Sequence, residues 1–204
     1  MCYRKLLDEA IDACENIRKY FYQILIGKNK KQINVDLFFN KKSFFHLLGL
    51  HYLRDVFEFN HHPNAERIYS DLVKNKKKLR EKASNSEFAN DVCSRWEALK
   101  KLEYILDNNL ETYYDKENYY GGRMNNIDFD YVFHFRNDDG LILSFYFLKG
   151  KDDEKYIMVS TFEDKEPNSH CRRAFTLIKK NKVEIKNNRN FELFNIDSDN
   201  SKTD

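Results

Sequence analysis

Apolar side chains recur at helical spacing from the start of the chain. Leu7, Ile11, Cys14, Ile17, Phe21, Ile24 and Leu25 share one face of a helix predicted over residues 3–26. Gly27 and the basic run from Lys28 to Lys31 supply its stop. Ile33, Val35, Leu37 and Phe39 then alternate with Asn34, Asp36 and Phe38, which predicts a strand. Ser43 stands as the N-cap of a helix carrying Phe44, Leu47, Leu48, His51 and Tyr52. His61-His62-Pro63-Asn64 reads as a turn. Beyond it the spacing predicts one helix over 65–82, with Ile68, Leu72 and Leu79 inward. Ser86 caps a longer helix lined by Phe88, Val92, Trp96, Leu99, Leu102 and Leu106.

The pattern changes near residue 110. Residues 113–124 read as an irregular aromatic connector whose rings (Tyr113, Tyr114, Tyr119, Tyr120) pack helices on sheet or form an interface. Ile127, Phe129, Tyr131, Phe133 and Phe135 alternate with Asp128, Asp130, Val132 and His134, a period of two that leaves His134 solvated. Asn137-Asp138-Asp139-Gly140 is a hairpin turn, with 141–148 returning as partner strand and 156–162 as a third. Residues 173–178 and 183–186 predict two more short strands, and 191–194 a sixth. Helices first and strands after predict an α+β fold, N-terminal helices packed on a C-terminal antiparallel sheet. One domain is expected over 1–194, mainly helical in 1–110 and sheet in 125–194, with a flexible tail over 195–204.

Composition narrows the function. Hydrophobic residues make up 41% of the 204, with 17 Phe and 13 Tyr, enough for a core and against disorder. Six Gly and two Pro exclude a Gly-rich phosphate-binding fold. The net charge of +2 points to no partner, so the placement of charge matters. Cys2, Cys14, Cys93 and Cys171 match no zinc spacing and read as reduced thiols. No apolar run is long enough to span a bilayer, and acids follow the first residues closely, so a cytoplasmic protein without membrane contact is expected.

Two windows are basic: Lys74 to Lys82, and His170 to Arg189. Phosphate-rich ligands favour such windows through counterion release. His46, on one helical stripe with Gly49, Leu50 and Leu53, has an ordinary pKa suited to proton transfer. Ser160 ends a strand where a hydroxyl can donate to a phosphate, and it lies in no nucleophile elbow. Asp128 and Asp130 on one strand are the residues a metal would use, although outward carboxylates are ordinarily just solvated.

The segment from Ile33 to Leu53 resembles the strand-then-helix signature of the PBECR4 family, phage barnase–EndoU–colicin E5/D–RelE-like nucleases. Phe44, His46, Leu47 and Gly49 stand at its Phe-x-His-Leu-x-Gly block. Ser160 and Phe162 resemble its Ser-x-Phe strand, and Leu177, Lys179 and Lys180 its Leu-x-Lys-Lys strand. The resemblance implies a BECR-like scaffold and a toxin-like, metal-independent endoribonuclease without cofactor. On that implication His46 transfers a proton and Arg173, seconded by Arg172, holds the scissile phosphate. Ser160 and Thr176 donate hydrogen bonds, and Lys179, Lys180 and Lys182 hold flanking phosphates. The implied partners are RNA and a cognate antitoxin, protein or RNA. The alternatives are a non-catalytic RNA- or protein-binding module, and a metal-dependent nuclease built on Asp128 and Asp130.

Overall fold

The computed structural model describes residues 3–60, 64–74, 77–116, 128–136, 142–150, 155–164 and 174–197. Helix α1 (Tyr3–Ile17) is followed by strands β1 (Tyr20–Lys28) and β2 (Lys31–Phe38). Helices α2 (Lys41–Leu47), α3 (Phe57–Asn60), α4 (Ala65–Val73), α5 (Lys77–Ser84) and α6 (Ala89–Asp107) come next. Strands β3 (Glu111–Asp115), β4 (Tyr131–Arg136), β5 (Ile142–Lys149), β6 (Lys155–Asp164), β7 (Thr176–Glu184) and β8 (Asn190–Asn195) complete the chain.

The α+β class holds, but the division into helical front and sheet-forming back does not. The eight strands form one sheet in the order β3-β4-β5-β6-β2-β1-β7-β8, so two strands from the N-terminal part sit inside it. The sheet is mixed, not antiparallel: β2 runs parallel to β6, with Asp36, Leu37 and Phe38 opposite Lys155, Tyr156 and Ile157. The predicted first helix therefore stops at Ile17, and Tyr22, Ile24 and Ile26 bury on one side of a strand. Phe21, Ile24 and Leu25 also keep helical phase, which is why periodicity carried the helix too far. The predicted connector contains β3, and residues 176–184 form one strand where two were expected. Phe175 N donates to Tyr113 O at 2.9 Å, a bridge that brings β3, at one edge, to the start of β7 and curls the sheet.

The helices pack on one face. Helix α1 lies against α6, and α2 lies against α4 and β6. Trp96 of α6 is fully buried and its indole N–H donates to Leu48 O at 2.9 Å, which satisfies the ring's polar atom. The helix expected over 65–82 is two, because Arg80 folds back to donate to Leu72 O at 2.7 Å and so receives the end of α4. Its other arm reaches Asp8 on α1 at 2.9 Å. Arg80 of the first basic window is thus a buried structural cation. Among the described residues no helix is long and apolar enough to cross a membrane. Of the tail expected over 195–204, Asn195 instead closes β8; the residues beyond Asp197 and the turn at 61–63 lie outside the described residues.

Candidate functional site

Helix α2 starts at Asn40, whose side chain accepts from Ser43 N at 2.7 Å. Asn40, not Ser43, is the cap; Ser43 sits one turn in and is buried. The helix is short because Gly49 takes φ 70°, a left-handed value that L side chains adopt only under strain. The chain then turns through a 3-10 turn over Leu50–Tyr52. This reversal sets His51 beside His46, their ring centroids 5.2 Å apart and their planes inclined by 60°.

Helix α6 approaches the same turn. A Cβ on Gly49 would come within 2.9 Å of both Arg95 Cδ and Val92 Cγ1. Glycine therefore serves twice, for its φ and for the close passage of α6. Arg95 is buried with its guanidinium 5.0 Å from the centre of the Tyr52 ring. Tyr52, partly exposed, lies 3.9 Å from the His51 ring. Phe45 flanks both imidazoles. Gly49→Ala is expected to cost about 1–3 kcal/mol from the left-handed backbone alone. A urea titration reads that loss, and an unchanged midpoint would mean the turn relaxes freely.

Electrostatics separate the two histidines. Burial lowers the pKa of His51 to about 4, and neighbouring His46 and Arg95 push the same way. His46 is also lowered, first by burial and then by Lys42 one turn back. The Nδ1 atom of His51 is buried without a hydrogen-bond partner. Such an atom is the exception in folded proteins. The cluster thus joins a neutral imidazole, a second imidazole, a phenol and a guanidinium, the kit for proton transfer beside developing negative charge.

The remaining expected site residues scatter. Ser160 on β6 is buried opposite Tyr146 of β5, whose ring joins a second small cluster with Phe129 and Val132. Thr176 is exposed at the start of β7, opposite Gly27. Among the described residues no hydrogen bond ties either to His46. Arg172 and Arg173 lie outside the described residues, as do Tyr119, Tyr120 and His170. Lys180 and Lys182 need correction as phosphate contacts. Alternation along β7 turns both toward the helices, where Lys180 pairs with Glu111 and is fully buried. Lys182 donates to Glu103 at 2.7 Å and to Asp107 at 2.6 Å. Lys179, the residue before Lys180, faces the other side of the sheet, 3.5 Å from Glu192. His134 is buried with its ring 5.0 Å from Tyr114, not solvated as alternation suggested. Asp128 accepts from Lys116 at 2.8 Å, and Asp130 accepts from Lys149 N at 2.7 Å. Cys14 and Cys93 are free thiols.

Sequence reasoning singled out His46 and missed Arg95, Tyr52 and the role of His51. The signal was the glycine: a residue that breaks a helix three places after one histidine and two before another brings both to one corner. A family model described as phage-Barnase-EndoU-ColicinE5/D-RelE like nuclease4 matches residues 6–202. No curated protein and no solved structure matches the chain.

Proposed function

This chain belongs to the PBECR4 family of nuclease-like proteins, and on that premise we propose that it is a metal-independent endoribonuclease acting through the His46–His51 pair. The observation that supports this reading is the 5.2 Å separation of two imidazoles held in different electrostatic settings. Cleavage of RNA without a metal needs a base for the 2′-OH, an acid for the 5′ oxygen and a cation for the charge on phosphorus. His51, the more acidic of the two, takes the 2′ proton as O2′ attacks phosphorus. The P–O5′ bond breaks and His46 gives its proton to the leaving oxygen. The products are a 2′,3′-cyclic phosphate and a 5′-hydroxyl. Arg95 supplies positive charge beside the pair, and the exposed Tyr52 ring offers a face on which a base can stack. A cell that makes such an enzyme restrains it, so a cognate antitoxin is the expected partner, by analogy with toxin-like nucleases.

The acid must be protonated and the base neutral, so the working window lies between the two pKa values. Both are lowered, with His51 at about 4 and His46 below its ordinary 6.5. As pH rises through the His46 value the acid loses its proton and kcat/KM falls. The expected profile is a bell with its maximum below pH 6.5. The test is incubation of the pure protein with RNA in EDTA across this range. Cleavage that persists and peaks in mild acid supports the reading. Binding without cleavage returns the non-catalytic module, and loss of cleavage in EDTA returns the metal-dependent nuclease.

A further inference from the structure

The chain leaves the histidine corner through a second exposed feature. Between Tyr52 and Phe57, Leu53 and Val56 are buried, while Tyr52, Arg54 and Phe57 stay in solvent. Phe57 is 67% exposed, more than any other large apolar side chain among the described residues. A lone exposed ring is ordinary; here two rings flank a guanidinium within six residues. Arg54 forms no ion pair among the described residues, whereas nearby Lys82 is engaged by Glu58. The turn is held from within. Asn60 Nδ2 donates to Leu53 O and to Val56 O, each at 3.1 Å. Asp55 accepts from Glu87 N at 3.1 Å and from the Ser86 hydroxyl. The rings and the cation are thus presented in fixed places, which spares a ligand the cost of ordering them. Between this turn and α5 lies an open cavity of about 520 Å³, lined by Phe57, Lys78 and Asn85 among others. That volume falls among ligand pockets, ~300–1,000 Å³. Asp55, Glu58 and Glu81 on its wall already have partners. Their charge disfavours a phosphate, so the hollow suits a neutral ring.

We propose that residues 52–57 form a ledge that leads single-stranded RNA away from the histidine pair. The ligand class rests on the nuclease reading; what is added is that the strand must continue past the cut. The base beside the cleaved bond stacks on Tyr52, a following phosphate meets Arg54, and a further base stacks on Phe57 at the cavity mouth. Every base has a face to stack, so the ledge is indifferent to sequence. A duplex cannot use it, because its bases are already stacked on one another. Two observations favour RNA over a protein occupant: the ledge begins beside the histidine pair, and its guanidinium is unpaired.

The probes are 2′-O-methyl oligonucleotides, which cannot be cut because the 2′ oxygen carries no proton. Fluorescence anisotropy reads binding of adenine and uracil hexamers, a dinucleotide and a hexamer duplex to the full chain. Both hexamers should bind about tenfold or more above the dinucleotide and the duplex. Phe57→Ala should weaken both hexamers about tenfold and leave the dinucleotide unchanged, and Phe57→Trp should restore them. Arg54→Ala should lower the slope of log affinity against log salt by about 0.7, the loss of one single-strand phosphate contact. A duplex or a dinucleotide that binds as tightly as the hexamers would overturn the proposal. So would hexamers indifferent to both alanine substitutions, which would leave the ledge to a protein partner. Because no bond is cut, hexamers that bind as expected to a protein that cleaves no RNA would sink the catalytic reading alone.

Discussion

His46→Ala is expected to lower kcat/KM for RNA cleavage by ~10²–10⁴-fold, the range of a lost general acid. The side chain is half-buried on the last turn of α2, with its neighbours Phe44, Phe45 and Leu47 holding the helix in place. The variant should therefore keep its far-ultraviolet circular dichroism. His51→Ala should cost a comparable factor. The double variant should be only slightly worse than either single one, because an acid and a base that serve one bond cleavage act as a unit. Labelled RNA in EDTA reads all three, and growth arrest on expression, relieved by His46→Ala, reads the same chemistry in cells. A fully active His46→Ala protein removes the imidazole from the mechanism.

The largest effect on stability is expected inside the curl of the sheet. Lys180 Nζ donates to Glu111 and, at 2.7 Å, to Leu106 O near the end of α6. Tyr113 donates to the same Glu111 oxygen at 2.5 Å. Burial lowers the Lys180 pKa, and the Glu111 carboxylate opposes that shift. A charge in this place is tolerated only because its partner is there. Lys180→Ala or Glu111→Ala alone should cost about 3–5 kcal/mol, since each strands the other charge in the interior. Replacing both together, Lys180→Met with Glu111→Leu, should restore most of that loss. Urea denaturation of the single and double variants closes the cycle. A single variant costing under about 1 kcal/mol would mean that water reaches the pair.

The β2–α2 segment was legible because its signals are local: alternation up to Phe38, then a helix holding His46, then Gly49. Strand β1 was not, since its apolar spacing fits both periods and only pairing with β2 and β7 decides. The lysines of β7 show the same limit. Period two fixes that Lys179 and Lys180 face opposite ways, but not which way is inward. That choice depends on Glu111 and on α6, both far off in the sequence. His51 and Arg95 were hidden because their meeting depends on one left-handed residue and on the docking of α6 against it.

The parallel seam between β2 and β6 also orders events in time. During synthesis β1 and β2 leave the ribosome early, yet Asp36 to Phe38 wait for Lys155 to Ile157, and Tyr20 to Gly27 wait for Thr176 to Glu184. Until then the hairpin is bare along both flanks, the condition in which strands seek foreign partners. A product ending before β7 would carry the complete histidine corner on an open, sticky ribbon, so premature termination should yield insoluble fragments rather than a smaller working molecule.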